Sequence, residues 1–142
     1  MTKFNQRFVR AFCIYDFMGL GLFALPIVSS QQVVTYSYAN QMLGGMPLSV
    51  EDPFAQLSLC LLGLLVIAWG IWRWMDASPQ IAFFEGCLRF VYGPAMLWFG
   101  IQFDMPIFAL AGIADLAIGL GHMWSAKRAG FSFGRAFVQT IS

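Results

Sequence analysis

Four apolar runs, at about residues 8–30, 54–75, 80–100 and 105–126, divide the chain, with polar and turn-forming residues between them. Each run approaches the roughly 20 residues with which a helix crosses about 30 Å of hydrocarbon. The pattern predicts an all-α, polytopic membrane protein: an antiparallel bundle of four transmembrane helices, making one domain over residues 1–142. Too little chain remains outside the runs for a soluble catalytic module. No internal repeat, low-complexity stretch or coiled-coil register interrupts this layout. The first run follows Lys3, Arg7 and Arg10 and ends in Ser29 and Ser30, as a secretory leader would, but its length and the acid Asp16 within it favour a helix of the fold.

The connections carry their own pattern. Residues 31–53 are expected to form a long outer loop, because Val33, Val34, Thr35, Tyr36 and Tyr38 lean towards extended structure and Gly44, Gly45 and Pro47 mark a turn. Such a loop either lies at the headgroup level, anchored by Tyr36 and Tyr38, or folds over the bundle mouth as a lid. The short connections at 76–79 and 103–106 make antiparallel hairpins of the second and third and of the third and fourth runs. Pro26 and Pro94 fall in the outer parts of the first and third runs, where each is expected to kink its helix and free a carbonyl.

Composition agrees with the pattern. Hydrophobic residues make up 59% of the chain and charged residues 11%, well below the roughly 25% charge of a soluble domain, and the mean hydropathy is +0.70. The basic residues Lys3, Arg7, Arg10, Arg73, Lys127, Arg128 and Arg135 all fall on one side of the predicted bundle, whereas the opposite connections hold the acids Glu51, Asp52 and Asp104. Basic flanks stay in the cytoplasm, so both termini are expected there. A net charge of +1 and a cationic tail explained by anionic headgroups give no reason to expect a nucleic-acid partner.

The charges inside the apolar runs are the candidate chemistry: Asp16, Glu85, Arg89 and Asp115. A charge at the bilayer centre costs at least about 2.5 kcal/mol, so such residues face a bundle interior, pair with one another or line a pathway. Glu85, Arg89, Tyr92 and Met96 share one helix face, with Glu85 four residues before Arg89 in the favourable order for an ion pair. Asp104, Phe108, Ala111, Gly112, Asp115, Gly119 and His122 form a second stripe, small and polar, suited to close helix approach. A rise of about 1.5 Å per residue puts the four charges in one layer, roughly 8 to 16 Å from the cytoplasmic helix ends. Three acids around one arginine would leave the layer anionic, so one acid is expected to be protonated or Arg73 to reach inward.

Each residue also has a plainer role. Arg89 with Glu85 and Asp115 can be a packing clamp or a ligand or proton site. Asp16 is either a partner to Arg89 or a relay. Arg73, flanked by Trp72 and Trp74, is most simply an interface anchor whose loss costs little, and His122 a snorkelling or capping residue near the cytoplasmic end. His122 is the only histidine, which excludes a bis-histidine haem within the chain. Cys13, Cys60 and Cys87 occur singly without C-x-x-C spacing, so no thiol chemistry and no metal site are indicated.

The layout, with Gly19 and Gly21 in the first helix and Gly63 in the second, resembles the DoxX-like group of small bacterial membrane proteins over about residues 8–126. The chain lacks the basic residue these often place after the first-helix glycine, and Gln56 stands where an acid would be looked for at the start of the second helix. The resemblance implies a bacterial inner-membrane location and a redox-linked or accessory role, and transfers no site residues. The leading expectation is an accessory subunit or a bundle binding a lipid or quinone, partnered by a membrane complex or its own copies. A proton-coupled small transporter working as an oligomer is the alternative. A membrane enzyme ranks third, since Asp115, Glu85 and Tyr92 in a dry pocket suffice for acid–base work.

Overall fold

The computed structural model describes residues 6–131, which form α1 (Gln6–Gly19), a 3-10 turn (Gly21–Ala24), α2 (Pro26–Met42), α3 (Pro53–Met75), α4 (Pro79–Gln102) and α5 (Pro106–Arg128). No strand occurs among the described residues. Lys3 and Arg135, two of the predicted basic flank, lie outside them. Proline opens α2, α3, α4 and α5, where its missing N–H is not needed and its fixed φ suits the first turn. Asp52 and Ser78 cap two of these starts, accepting from the Ala55 and Ile81 amides at 2.9 and 3.4 Å. Asp104, at φ 53°, reverses the chain after α4 so that the Met105 amide returns to the Gly100 carbonyl at 2.8 Å.

The first predicted helix is broken. Its α-helical part stops at Gly19, and Leu25 is extended, as the residue before a proline tends to be, so Pro26 starts a helix and does not kink one. The predicted outer loop is helical as far as Met42, against the β-leaning of Val33 to Tyr38. Tertiary hydrogen bonds account for the reversal. Gln32 Nε2 donates to the Met18 and Gly19 carbonyls (2.9 and 3.1 Å) and the Tyr36 hydroxyl donates to Gly19 (2.7 Å), which satisfies the carbonyls left open where α1 ends. At the other end of α2, Asn40 Oδ1 accepts from the Ile107 amide (3.0 Å) in the first turn of α5, whose own preceding residue Met105 offers no side-chain cap. Asn40 Nδ2 holds the Met46 carbonyl at 2.8 Å. Helix α2 therefore lies across one end of the bundle, between the broken end of α1 and the start of α5.

Two helix pairs make up the body. Helices α4 and α5 pack along most of their length, and the contact is set by glycine: a Cβ on Gly112 would come within 2.6 Å of the Gly93 carbonyl, and one on Gly86 within 2.9 Å of the Gly119 carbonyl. Gly86, Gly93 and Gly100 recur every seven residues, and Gly112 and Gly119 answer them on α5, so the backbones approach at about every second turn. Helix α3 packs instead against α1 and the 3-10 turn, through Gly63 facing Phe23 and Ala24. The expected hairpin of α3 and α4 closes only beside its turn. Beyond it the two helices diverge without an extended contact.

Burial is inverted relative to a water-soluble domain. Arg73, Arg89, His122 and Glu85 are the largest fully buried side chains, while the buried apolar set is mostly small, including Ala77, Ala82 and Ala126. The outside carries Ile27, Phe54, Leu65, Ile71, Val91, Ile101 and Trp124. Two helices, α3 and α5, are long and apolar enough to cross a membrane, with mean hydropathy 2.2 and 1.6 in their most apolar windows. Glu85 and Arg89 interrupt α4, which is of similar length at 24 residues. Arg7 and Arg10 share one end of the bundle with Lys127 and Arg128: Arg10 Nε donates to the Trp74 carbonyl (3.2 Å) at the end of α3, and the Phe8 ring meets His122 of α5 edge-on, at an interplanar angle of 84°. Glu51, Asp52 and Asp104 occupy the opposite end.

Candidate functional site

The buried charges meet in one cluster contributed by α1, α3, α4 and α5. Arg89 sits at its centre: Nη2 binds both Asp16 oxygens (2.8 and 2.7 Å) and lies 3.0 Å from Glu85 Oε1, while Nη1 binds Asp115 Oδ1. Arg73 forms the second cationic centre, pairing with Asp16 Oδ2 at 2.5 Å and with Glu85 Oε1 at 2.7 Å. Trp69 Nε1 donates to Glu85 Oε2 at 2.7 Å, and the Tyr92 hydroxyl lies 3.5 Å from Glu85 Oε1. The rings of Phe12 and Tyr92 each lie 5.9 Å from the Arg89 guanidinium carbon, within cation–π range.

The sequence-derived layer of Asp16, Glu85, Arg89 and Asp115 is thus assembled in space, with Tyr92 at its edge. Arg73 reaches inward, one of the two expectations for it, and the interface-anchor expectation is corrected. It is not an interface anchor; its side chain is fully buried and joins the cluster, because its alkyl stem can follow α3 inward to two carboxylates that would otherwise share one cation. His122 is corrected as well. It neither caps nor snorkels but lies buried edge-on to Phe8 and Phe12, ring centroids 5.1 and 5.3 Å away, with neither nitrogen hydrogen-bonded among the described residues. Its position on the inward stripe of α5 explains this, since that face is covered by α1. Trp69 went unrecognised in the sequence, although it precedes Arg73 by four and so shares its helix face.

Above the cluster lies a cavity of about 560 Å³ between the α1–α3 pair and the α4–α5 pair, with Tyr36 of α2 and Phe108 of α5 towards its far end. Its walls are apolar, including Leu59, Leu62, Val66, Leu88 and Met96. Its charged lining consists of Asp16, Glu85 and Asp115, joined by the phenols Tyr15, Tyr36 and Tyr92. Both guanidinium groups lie behind these acids. Leu62 and Leu65 of α3 line the cavity and are also exposed at 42% and 68%, so it opens to the surface where α3 diverges from α4. The volume falls in the range of about 300–1,000 Å³ typical of small-molecule sites.

Cys13, Cys60 and Cys87 are free thiols on three different helices, and no group of three His, Cys, Asp or Glu among the described residues is arranged to hold a metal ion. Comparison with known protein families, curated proteins and solved structures finds no match. The chemistry of the site therefore rests on its own geometry.

Proposed function

We propose that the chain is a multi-pass membrane protein of the bacterial inner membrane, crossing four times with both termini cytoplasmic, and that its cavity binds a lipophilic ligand of the lipid or quinone class. The observation that carries this reading is the apolar cavity closed at one end by a charge cluster, in a molecule whose outer surface is apolar. The inverted burial supports a lipid surround, since a layer of five charges, four of them buried, beneath exposed Leu, Ile, Phe and Trp suits hydrocarbon and not water. The lateral opening beside Leu62 and Leu65 supports entry from the acyl-chain region. The segregation of Arg7, Arg10, Lys127 and Arg128 from Glu51, Asp52 and Asp104 supports the orientation.

In this role the protein binds and presents its ligand, to a larger membrane complex or within an assembly of its own copies, in keeping with the DoxX-like layout. Proton-coupled transport is the second reading. It is favoured by one observation, that three carboxylates share two guanidinium groups, so the cluster has room for one exchangeable proton or cation.

Two measurements test the main reading. With Cys13, Cys60 and Cys87 replaced by Ala, a cysteine at Gly44 should react with an impermeant reagent from the periplasmic side, and one at Lys127 should not; the reverse pattern removes the orientation. Titration of the purified protein with decylubiquinone and with dodecanol should give saturable binding in native mass spectra. The variant Ala111→Phe, which puts a ring into the cavity, should weaken that binding while the protein stays folded. Equal binding by wild type and variant would place lipophiles elsewhere.

A further inference from the structure

We infer that the cavity selects amphiphiles with a protonated amine head over those with an anionic or carbonyl head. This rests on the lipophilic-ligand reading and assigns the head group. The first support is the sign of the lining: Asp16, Glu85 and Asp115 reach the cavity, whereas Arg73 and Arg89 are fully buried behind them and present no donor to it. The second is valence. Every ion pair in the cluster joins one of three carboxylates to one of two guanidinium groups, so an ionised cluster lacks one positive charge.

The third support is an open acceptor. Asp115 gives Oδ1 to Arg89, and Oδ2 has no hydrogen-bond partner among the described residues, on a side chain about nine-tenths buried at the cavity wall. An alkylammonium, charged at neutral pH as lysine is, supplies both the missing charge and donors for Asp115 Oδ2 and Asp16. Its chain would then run along Leu62, Val66 and Met96 towards the lateral opening. A carboxylate head would bring a fourth anion to the same wall. A quinone brings only acceptors, for which the nearby donors are the phenols Tyr15 and Tyr92.

Three probes of equal chain length decide it: dodecylamine, dodecanol and laurate, each titrated into the purified wild-type protein at pH 7 and read by native mass spectrometry. Dodecylamine should bind at least tenfold more tightly than laurate, with dodecanol between them. Asp115→Asn, confirmed as folded by its melting curve, should narrow the amine preference severalfold, and Asp115→Glu should retain the preference. Equal affinities for the amine and laurate, with dodecanol still bound, would overturn the head-group assignment and leave the lipophilic cavity standing. No binding of any of the three would remove the cavity reading itself. Because the wild-type comparison needs no variant, a misfolded Asp115→Asn does not shelter the inference. Displacement of dodecylamine by phosphatidylethanolamine but not by phosphatidylglycerol would put the amine on a membrane lipid; displacement by neither, with the amine preference intact, would leave a free lipophilic amine as the ligand.

Discussion

Arg73→Ala and Arg89→Ala should both destabilise the fold strongly, and unequally. Removing one partner of a buried ion pair costs roughly 3–5 kcal/mol, most of it from the charge left behind. What is left behind differs between the two. Without Arg73, Asp16 keeps both contacts to Arg89 at 2.8 and 2.7 Å, and Glu85 keeps Arg89 at 3.0 Å and Trp69 at 2.7 Å. No carboxylate is orphaned, so the loss belongs near about 3 kcal/mol, the low end of that range. Without Arg89, Asp115 has no partner among the described residues and Asp16 has Arg73 alone, which places the loss near about 5 kcal/mol. Arg10→Ala supplies the control. That side chain is half-buried, with one hydrogen bond to the Trp74 carbonyl and one stacking contact on the Trp74 ring, together worth about 1–2 kcal/mol. The assay is reversible unfolding in mixed micelles followed by circular dichroism, at constant detergent composition. An Arg73→Ala protein as stable as Arg10→Ala would refute the buried second cation, and an Arg73→Ala loss larger than that of Arg89→Ala would refute the assigned pairing.

Two further outcomes follow from packing. His122→Leu should raise stability by about 1–3 kcal/mol, because it replaces an imidazole whose nitrogens lack partners with an aliphatic group between Phe8 and Phe12; a lowered melting temperature would show that the ring has a polar role. Gly112→Ala should cost about 1–3 kcal/mol, since its Cβ would meet the Gly93 carbonyl and the Leu97 amide (2.6 and 2.7 Å), whereas Gly70→Ala on α3 meets nothing within 4 Å and should gain about 0.5–1 kcal/mol in helix propensity, so equal responses in the same melting assay would contradict the close α4–α5 contact.

Much of this molecule is written locally. The apolar runs mark α3 and α4 in the sequence, and in the structure Asp52–Pro53 and Ser78–Pro79 fix where they start, because capping and the proline φ restraint act within one turn. The charge layer was legible for a similar reason: helical rise and period are fixed, so counting from the helix ends puts Asp16, Glu85, Arg89 and Asp115 at one depth without knowledge of how the helices pack. What packing alone decided is where local preference is weak or contradicted. Residues Val33 to Tyr38 lean towards extended structure, and they are helical because Gln32 and Tyr36 answer open carbonyls on α1 while Asn40 answers an open amide on α5. Arg73 is a plausible interface anchor from its tryptophan neighbours, and only the convergence of Asp16 and Glu85 from two other helices draws it inward. The cavity exists because α3 pairs with α1 and α4 with α5, a choice of partners made by glycines meeting backbone across helices, which no single helix encodes.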